Sequence, residues 1–262
     1  MNDAVPNDIR FERPGGLALT ERMVRGLLPG SRVLDVGCGS GGSVLHMRTK
    51  LGLDTVGLDC DEAAFADADG AVAVRLFCGD AHALPFADGA FDAVLFECSL
   101  SKMDDPDRAL AEAARVLCPD GRVAISDFFT MGHEQILSGV LGRMEMRGSW
   151  VKRLQAAGFE IEHQEDRTDD LRTLWGQMVF DHGLERLISI IYPDGQTLRG
   201  DETGYFLMIA CKTAKRDDSQ AEGGGQSVVP SPGTLDEGAV AKGDWGSATT
   251  QLNSLNNLEL ES

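Results

Sequence analysis

The sequence is poor in basic residues. Its 24 Lys and Arg residues stand against 42 Asp and Glu residues, which gives a formal net charge of -18. A surface of that sign repels phosphate backbones and anionic lipid headgroups, and no run of Lys and Arg offsets it. We therefore expect no nucleic-acid partner.

Long apolar runs and closely spaced cysteines are missing as well. No segment reaches the roughly 20 apolar residues that a membrane span requires, and the opening stretch MNDAVPNDIRFER lacks the apolar core of a signal peptide. We expect a cytoplasmic protein with no membrane span. None of the six cysteines has Cys-x-x-Cys spacing, so we expect free thiols and no metal site.

The composition changes after Thr213. Residues 214–262 are rich in Gly, Ser, Asn and acidic residues, and Trp245 is their single aromatic residue. Such a segment buries too little apolar surface to offset the entropy of ordering it. We predict a folded domain over residues 1–213 and a disordered acidic tail over residues 214–262.

Short β-branched runs alternate with helical patterns in the core of the domain, residues 30–127. Strands are predicted at 32–36, 55–58, 72–77, 93–96 and 122–126, and helices at 41–51, 61–68 and 106–117. A further helix at 150–157 and strands at 159–163 and 204–211 follow. Alternation with apolar strands favours a parallel sheet covered on both faces. We predict one doubly wound α/β domain.

Two inserted segments, 128–149 and 166–203, are long for plain connections. Segments of this length in a compact domain often form a lid or a substrate pocket. Peripheral packing is the other interpretation.

Residues 33–43, VLDVGCGSGGS, fit two ligand-binding templates. Read from Gly37, they match the Gly-x-Gly-x-x-Gly pattern of dinucleotide-binding proteins. Read from Asp35, they match Asp-x-Gly-x-Gly-x-Gly, a pattern of proteins that bind S-adenosylmethionine. Either ligand suits a tight glycine turn that leads into a helix N-terminus. Asp59, at the end of the second strand, suits the ribose hydroxyls of both.

Four further motifs follow in order. They are Asp80 after the third strand, Leu84-Pro85-Phe86, Phe91-Asp92, and Arg115 to Gly121 before the fifth strand. With these motifs, residues 15–127 resemble class I S-adenosylmethionine-dependent methyltransferases. The resemblance is closest to the small-molecule branch, methyltransferase type 11, which includes quinone-biosynthesis and arsenite methyltransferases. Asp120 replaces a glycine of the family pattern.

The resemblance implies methyl transfer from S-adenosylmethionine to a small-molecule acceptor. It implies a Rossmann-like sheet of seven strands, mostly parallel, with an antiparallel last strand. It places Asp35, Gly37, Cys38, Gly39 and Gly41 at the methionine end of the cofactor, Asp59 at the ribose, Cys60, Asp80 and Ala81 at the adenine, and Glu97 and Cys98 at the sulfonium side.

No catalytic residue stands out. The Asn-Pro-Pro-Tyr motif of methyltransferases that act on nucleic-acid bases is absent after the fourth strand, and the histidine of many small-molecule relatives is replaced around Ser101. His133, just past the fifth strand, is a candidate general base, and Cys98 is a second candidate. Arg13 is predicted to reach an anionic acceptor, and Thr20 to cap a helix over residues 21–28.

Four cysteines follow predicted strand ends: Cys38, Cys60, Cys78 and Cys98. They are interpreted as buried hydrophobic residues, or as thiols that capture a soft metalloid.

Two other functions remain open at this point. An NAD-dependent oxidoreductase would account for the glycine loop and Asp59, although not for the motifs downstream. A non-catalytic S-adenosylmethionine-binding partner or sensor protein would account for the missing base.

Overall fold

The computed structural model describes residues 13–68, 70, 75–193, 195 and 202–213. Across these residues, no helix combines the length and apolar character needed to span a bilayer. The predicted tail, residues 214–262, lies outside the described part of the chain.

Seven strands form one sheet, and two short strands form a separate hairpin. In chain order they are β1 (Arg32–Val36), β2 (Asp54–Asp59), β3 (Leu76–Cys78), β4 (Phe91–Glu97), β5 (Leu117–Thr130), β6 (Gln135–Ile136), β7 (Arg143–Met144), β8 (Phe159–Asp166) and β9 (Thr203–Lys212). The large sheet has the order β3-β2-β1-β4-β5-β9-β8. Strands β1 to β5 pair in parallel, whereas β9 is antiparallel to both β5 and β8. The predicted sheet, including its antiparallel last strand, is confirmed.

Among the described residues, six α-helices cover the two faces of the sheet. They are α1 (Gly16–Met23), α2 (Gly42–Leu51), α3 (Pro106–Val116), α4 (Arg147–Ala156), α5 (Thr168–His182) and α6 (Leu184–Ile191). Helices α3 and α4 pack into one apolar cluster with Leu34 and Val36 of β1. Helices α1, α2, α5 and α6 pack into the other with Val33. Both faces of β1 are thus buried, as the apolar run predicts.

Local sequence explains where α3 begins. The Asp105 carboxylate accepts a hydrogen bond from the Arg108 N–H at 3.0 Å, and Pro106 takes the first helical position, where a missing N–H costs nothing. Ala109 and Leu110 then bury the apolar face against the sheet.

The two predicted elements that follow β2 differ from the structure. The helix expected over residues 61–68 is a 3-10 helix, Glu62–Asp67, because the Asp61 side chain accepts a hydrogen bond from the Ala63 N–H and turns the chain tightly. The third strand is Leu76–Cys78 rather than 72–77, and residues 71–74 lie outside the described part of the chain.

The prediction that Thr20 caps a helix over residues 21–28 is wrong. Helix α1 begins earlier, after Gly15, which takes a left-handed conformation with φ of 76°. Thr20 therefore lies inside the helix, where it is fully buried. Its hydroxyl contacts the sheet instead of a helix end.

The two inserted segments have different structures. Residues 128–149 contain the end of β5 and the β6–β7 hairpin. The described part of 166–203 contains α5 and α6, whose Leu171 and Leu187 belong to the core beneath them. That second segment therefore contributes packing, and a lid remains a prediction for either segment.

Candidate active site

The glycine loop joins β1 to α2. Gly37, Gly39 and Gly41 have φ values of 79°, 53° and 79°, in the left-handed region that favours glycine. A Cβ atom on Gly37 would lie 2.4 Å from the Cβ of Ser99, whereas one on Gly39 would meet no atom within 4 Å. The loop is thus packed tightly on one side and open on the other, as a ligand that approaches the backbone requires.

The carboxyl ends of β1 to β4 meet at the same edge of the sheet. Asp59 and Cys60 stand at the end of β2, Cys78 at the end of β3, and Glu97 and Cys98 at the end of β4. Ligands of open α/β sheets bind at this edge. The structure therefore brings the predicted strand-end residues to the edge where the cofactor is expected.

Two carboxylates behind the loop are buried. Asp35 is 2% exposed and Glu97 is 8% exposed. Burial, and then the nearby charge of Glu97, raises the pKa of Asp35 well above its ordinary value, while the Arg13 charge opposes the shift. Burial also raises the pKa of Glu97, against the opposing charge of Arg13 and a hydrogen bond from Thr20.

Helix α1 and the residues before it supply the partners of Glu97. The Arg13 guanidinium forms an ion pair with the Glu97 carboxylate. The Thr20 hydroxyl donates to Glu97 Oε2 at 3.1 Å, and Arg13 Nη2 donates to Thr20 Oγ1 at 2.8 Å. Arg13, predicted to meet an anionic acceptor, is therefore engaged by Glu97 at the end of β4.

One oxygen of this cluster lacks a partner. Glu97 Oε1 is buried and has no well-formed hydrogen bond within the described residues, although the neighbouring Ser43 hydroxyl, like Thr20, opposes the rise in the pKa of this carboxyl. Buried carboxylate oxygens are normally paired, and here Arg13 is the one cation in contact with Glu97 among those residues. A cationic group such as the ammonium or sulfonium of S-adenosylmethionine therefore fits the cluster.

Asp59 and Asp80 offer carboxylates in wetter surroundings. Asp59 accepts hydrogen bonds from the N–H groups of Gly39 at 2.8 Å and Asp61 at 3.0 Å, which ties the glycine loop to β2. Asp80 is exposed, and a hydrogen bond from the His82 N–H at 2.8 Å lowers its pKa. Ala81 beside it is buried. These acids suit neutral donors such as ribose hydroxyls and the adenine amino group.

The four strand-end cysteines have different environments. Cys60 and Cys78 are exposed. Burial raises the pKa of Cys38, which lies against Gly57 behind the loop. Burial and the charge of Asp127 raise the pKa of Cys98 to about 12.

Both shifts disfavour the thiolate form at neutral pH. In the described ranges, no group of three or more His, Cys, Asp and Glu side chains could hold a metal ion. The metalloid interpretation therefore gains no support from the arrangement of the thiols.

Sequence reasoning missed three residues that fix the chain after β4, namely Ser99, Asp127 and Tyr205. Cys98 adopts φ of 52°, and its Sγ lies 3.0 Å from the Tyr205 hydroxyl of β9. The Ser99 hydroxyl donates to the Val36 carbonyl at 2.6 Å, and Asp127 accepts from the Ser101 N–H at 2.9 Å. Only Asp127, an acid at the end of a predicted strand, carried a signal in the sequence.

The two catalytic candidates remain predictions. His133 is exposed, three residues after β5 ends at Thr130. Burial raises the pKa of Cys98, so its thiol stays protonated at neutral pH and is not available to take a proton.

The sheet order, the glycine loop after β1 and the acids at the ends of β2 and β4 define the fold of class I S-adenosylmethionine-dependent methyltransferases. Residues 34–125 match the model of the family described as methyltransferase domain.

The chain is similar to the 27-O-demethylrifamycin SV methyltransferase of Amycolatopsis mediterranei. The two are 33% identical over 179 residues, which cover 60% of this chain and 65% of that enzyme. The chain thus spans slightly less than two thirds of that relative. This likeness favours a methyltransferase over the NAD-dependent oxidoreductase.

Two solved structures share the fold. The cyclase SpnF has a TM-score of 0.60 and 26% identity, covering 75% of this chain and 80% of that chain. The Haemonchus contortus phosphoethanolamine N-methyltransferase 2, solved with S-adenosylhomocysteine, has a TM-score of 0.63 and 22% identity, covering 77% and 54%. Because a named cyclase shares the fold, the fold does not by itself define the reaction.

Proposed function

We propose that the protein transfers a methyl group from S-adenosylmethionine to a small-molecule acceptor. The observation that carries the proposal is the buried acidic cluster behind the glycine loop. Arg13 forms an ion pair with Glu97 and its charge also acts on Asp35, and Glu97 Oε1 lacks a well-formed hydrogen bond in the described part of the chain. A nicotinamide dinucleotide would bring anionic phosphates to the same loop, which two buried carboxylates disfavour.

The remaining residues bind and orient the cofactor in this proposal. Gly39 exposes backbone to the methionine end. Asp59 accepts from the ribose hydroxyls while it holds the loop. Asp80, with the backbone of Ala81, faces the adenine. Cys38 and Gly41 shape the loop, and Cys60 borders the adenine site.

The chemistry asks little of the protein beyond orientation. When bound, S-adenosylmethionine supplies a methyl group that its sulfonium already activates. The chain must hold the acceptor atom in line with that methyl group and exclude water. A base is required only if the acceptor loses a proton, and His133 is the candidate for that step.

Calorimetry and a labelled-methyl screen test the proposal. We expect S-adenosylmethionine and S-adenosylhomocysteine to bind, NADH not to bind, and labelled product to form from at least one pool of metabolites. NADH binding without S-adenosylmethionine binding would establish the oxidoreductase instead. Binding of S-adenosylmethionine with no product from any pool would establish a non-catalytic binding protein.

We also propose that residues 1–213 form the catalytic domain and that the protein acts in the cytoplasm without a nucleic-acid partner. Six free cysteines suit a reducing compartment, and the net charge of -18 opposes nucleic acid. Methyl transfer by a chain that ends at Thr213, compared with the full chain, tests the domain boundary.

A further inference from the structure

A cavity of about 350 Å³ lies between the loop after β4 and the β6–β7 hairpin. Lys102, Met103 and Asp104 line it from the loop, and Ile136, Leu137 and Arg143 line it from the hairpin. The volume falls in the range of small-molecule sites.

The cavity is close to the glycine loop. Ser101 lines it and lies two residues after Ser99, which backs the glycine loop beside Gly37. Two residues span at most about 7 Å of extended chain. The Ser101 N–H is fixed by the buried Asp127 carboxylate, so this wall of the cavity is held near the methyl donor.

The hairpin wall is fixed to the loop wall. A Cβ atom on Gly142, which has φ of 61°, would lie 2.6 Å from the carbonyl oxygen of Ser101. Only glycine allows this approach. The cavity is therefore a built feature of the two packed segments.

The cavity carries positive charge in a strongly acidic chain. Lys102 is exposed and forms no ion pair with any residue in the described ranges. Glu145 accepts short hydrogen bonds from Arg153, at 2.8 and 2.7 Å, and forms a longer ion pair with Arg143, at 3.6 Å. Among the residues described, Arg143 Nε is buried without a hydrogen-bond partner. Asp104 is the one acid in the lining, and its backbone carbonyl accepts from Arg143 at 3.3 Å.

Apolar side chains complete the lining. Ile136 is 67% exposed, and Leu137 beside it is buried. Met103 forms part of the opposite wall. An exposed isoleucine next to the Lys102 ammonium, and next to an Arg143 guanidinium whose Nε lacks a hydrogen-bond partner among the described residues, suits a ligand with an apolar body and an anionic group.

We propose that this cavity binds the methyl acceptor and selects an apolar molecule with one anionic group, such as an aromatic carboxylate or phenolate. The inference rests on the proposed methyl transfer. Arg143 would hold the anion through its guanidinium N–H groups, with Lys102 adding charge. Ile136 and Met103 would cover the apolar body.

The test compares 3-hydroxy-2-naphthoate with its methyl ester, which lacks the carboxylate charge. Binding of both is measured by calorimetry to protein saturated with S-adenosylhomocysteine. We expect the acid to bind about tenfold more tightly, the scale of one charge-assisted hydrogen bond. K102A and R143A should each remove most of that preference and leave ester binding unchanged, and R143K should restore part of it.

Controls separate this inference from the proposed function. R172A removes an exposed arginine paired with Asp169 on α5 and should leave both affinities unchanged. Every variant is first tested for S-adenosylhomocysteine binding and for its melting temperature. Because Lys102 is exposed, K102A stays informative even if R143A does not fold.

Equal binding of acid and ester, no binding of the acid, or an unchanged preference in K102A would overturn the inference. If the wild-type protein binds the cofactor product normally in those cases, the proposed methyl transfer stands. If it binds neither S-adenosylmethionine nor S-adenosylhomocysteine, the proposed function itself fails.

Discussion

Two pairs of acidic side chains stand at the same edge of the sheet in opposite surroundings. Asp35 and Glu97 are buried, and burial raises the pKa of each. Asp59 is partly exposed and Asp80 is exposed, and both accept backbone hydrogen bonds. Two charges interact strongly in a buried site of low dielectric constant, whereas water screens charges in an exposed site. Binding at the exposed site then depends more on hydrogen-bond geometry. The buried pair is suited to a cation and the open pair to neutral donors.

The largest effect is expected from E97Q. Removing one partner of a buried ion pair leaves Arg13 uncompensated and removes the attraction for a cation. We expect an approximately 100-fold loss of S-adenosylmethionine affinity, and a smaller loss for S-adenosylhomocysteine, which lacks the sulfonium charge. Calorimetry with both ligands measures the difference. E160Q, on the exposed side of β8, is the matched control; equal losses for the two ligands would contradict a charge-based role.

The second effect is a pH dependence. As pH rises, the free energy of unfolding should fall while the affinity for S-adenosylmethionine should rise. Because the pKa values of Asp35 and Glu97 are raised, their contribution to stability is fully present below the ordinary carboxyl pKa of about 4. It is lost as pH rises through the raised values.

Affinity for S-adenosylmethionine should rise over the same window, by up to about tenfold per pH unit for each proton released. Chemical denaturation and calorimetry at several pH values measure the two trends. E97Q should make both stability and affinity less dependent on pH. If their slopes against pH are unchanged in that variant, Glu97 is not the group that titrates.

A moderate effect is expected from D59N. Asparagine keeps one acceptor oxygen but loses the charge-assisted hydrogen bond to the Gly39 N–H. We expect about a fivefold loss of affinity, which is the scale of one hydrogen bond. The loss should be equal for S-adenosylmethionine and S-adenosylhomocysteine. Calorimetry with D169N as control decides this. A loss confined to the cationic ligand would place Asp59 with the buried pair.

The smallest effect is expected from D80N. Because water competes with the ligand for hydrogen bonds to an exposed carboxylate, we expect about a twofold loss of affinity for S-adenosylmethionine. Added salt should screen this contribution and leave that of Glu97 largely unchanged. Titrations of both variants at low and high ionic strength test the contrast, and a larger loss in D80N than in D59N would reverse the ranking.

The sequence predicts well where short-range rules apply. Asp35 and the glycines of the loop follow from spacing within a few residues, and α3 follows from Asp105 and Pro106. Strand β5 was predicted to stop at Ser126, yet it continues to Thr130. A polar Asp127 ends an apolar pattern, but here two backbone N–H groups satisfy its carboxylate inside the core.

The rest of the site depends on partners far apart in the chain. Thr20 and Glu97 are 77 residues apart, and Cys98 and Tyr205 are 107 apart. No local pattern specifies such a contact, since each side chain alone reads as an ordinary helix or strand residue. The cavity beside the β6–β7 hairpin likewise depends on the contact between Gly142 and Ser101, which are far apart in the sequence.

The place of β9 governs the order in which the chain can complete its sheet. It lies between β5 and β8, so both earlier strands keep an open edge until residues 203–212 have been synthesised. Open edges favour aggregation of a growing chain. We expect the backbone amides of β8 to gain protection only together with those of β9 when refolding is followed by pulsed hydrogen exchange. A chain that stops before Thr203 is therefore expected to aggregate or to depend on chaperones rather than to fold as a smaller domain.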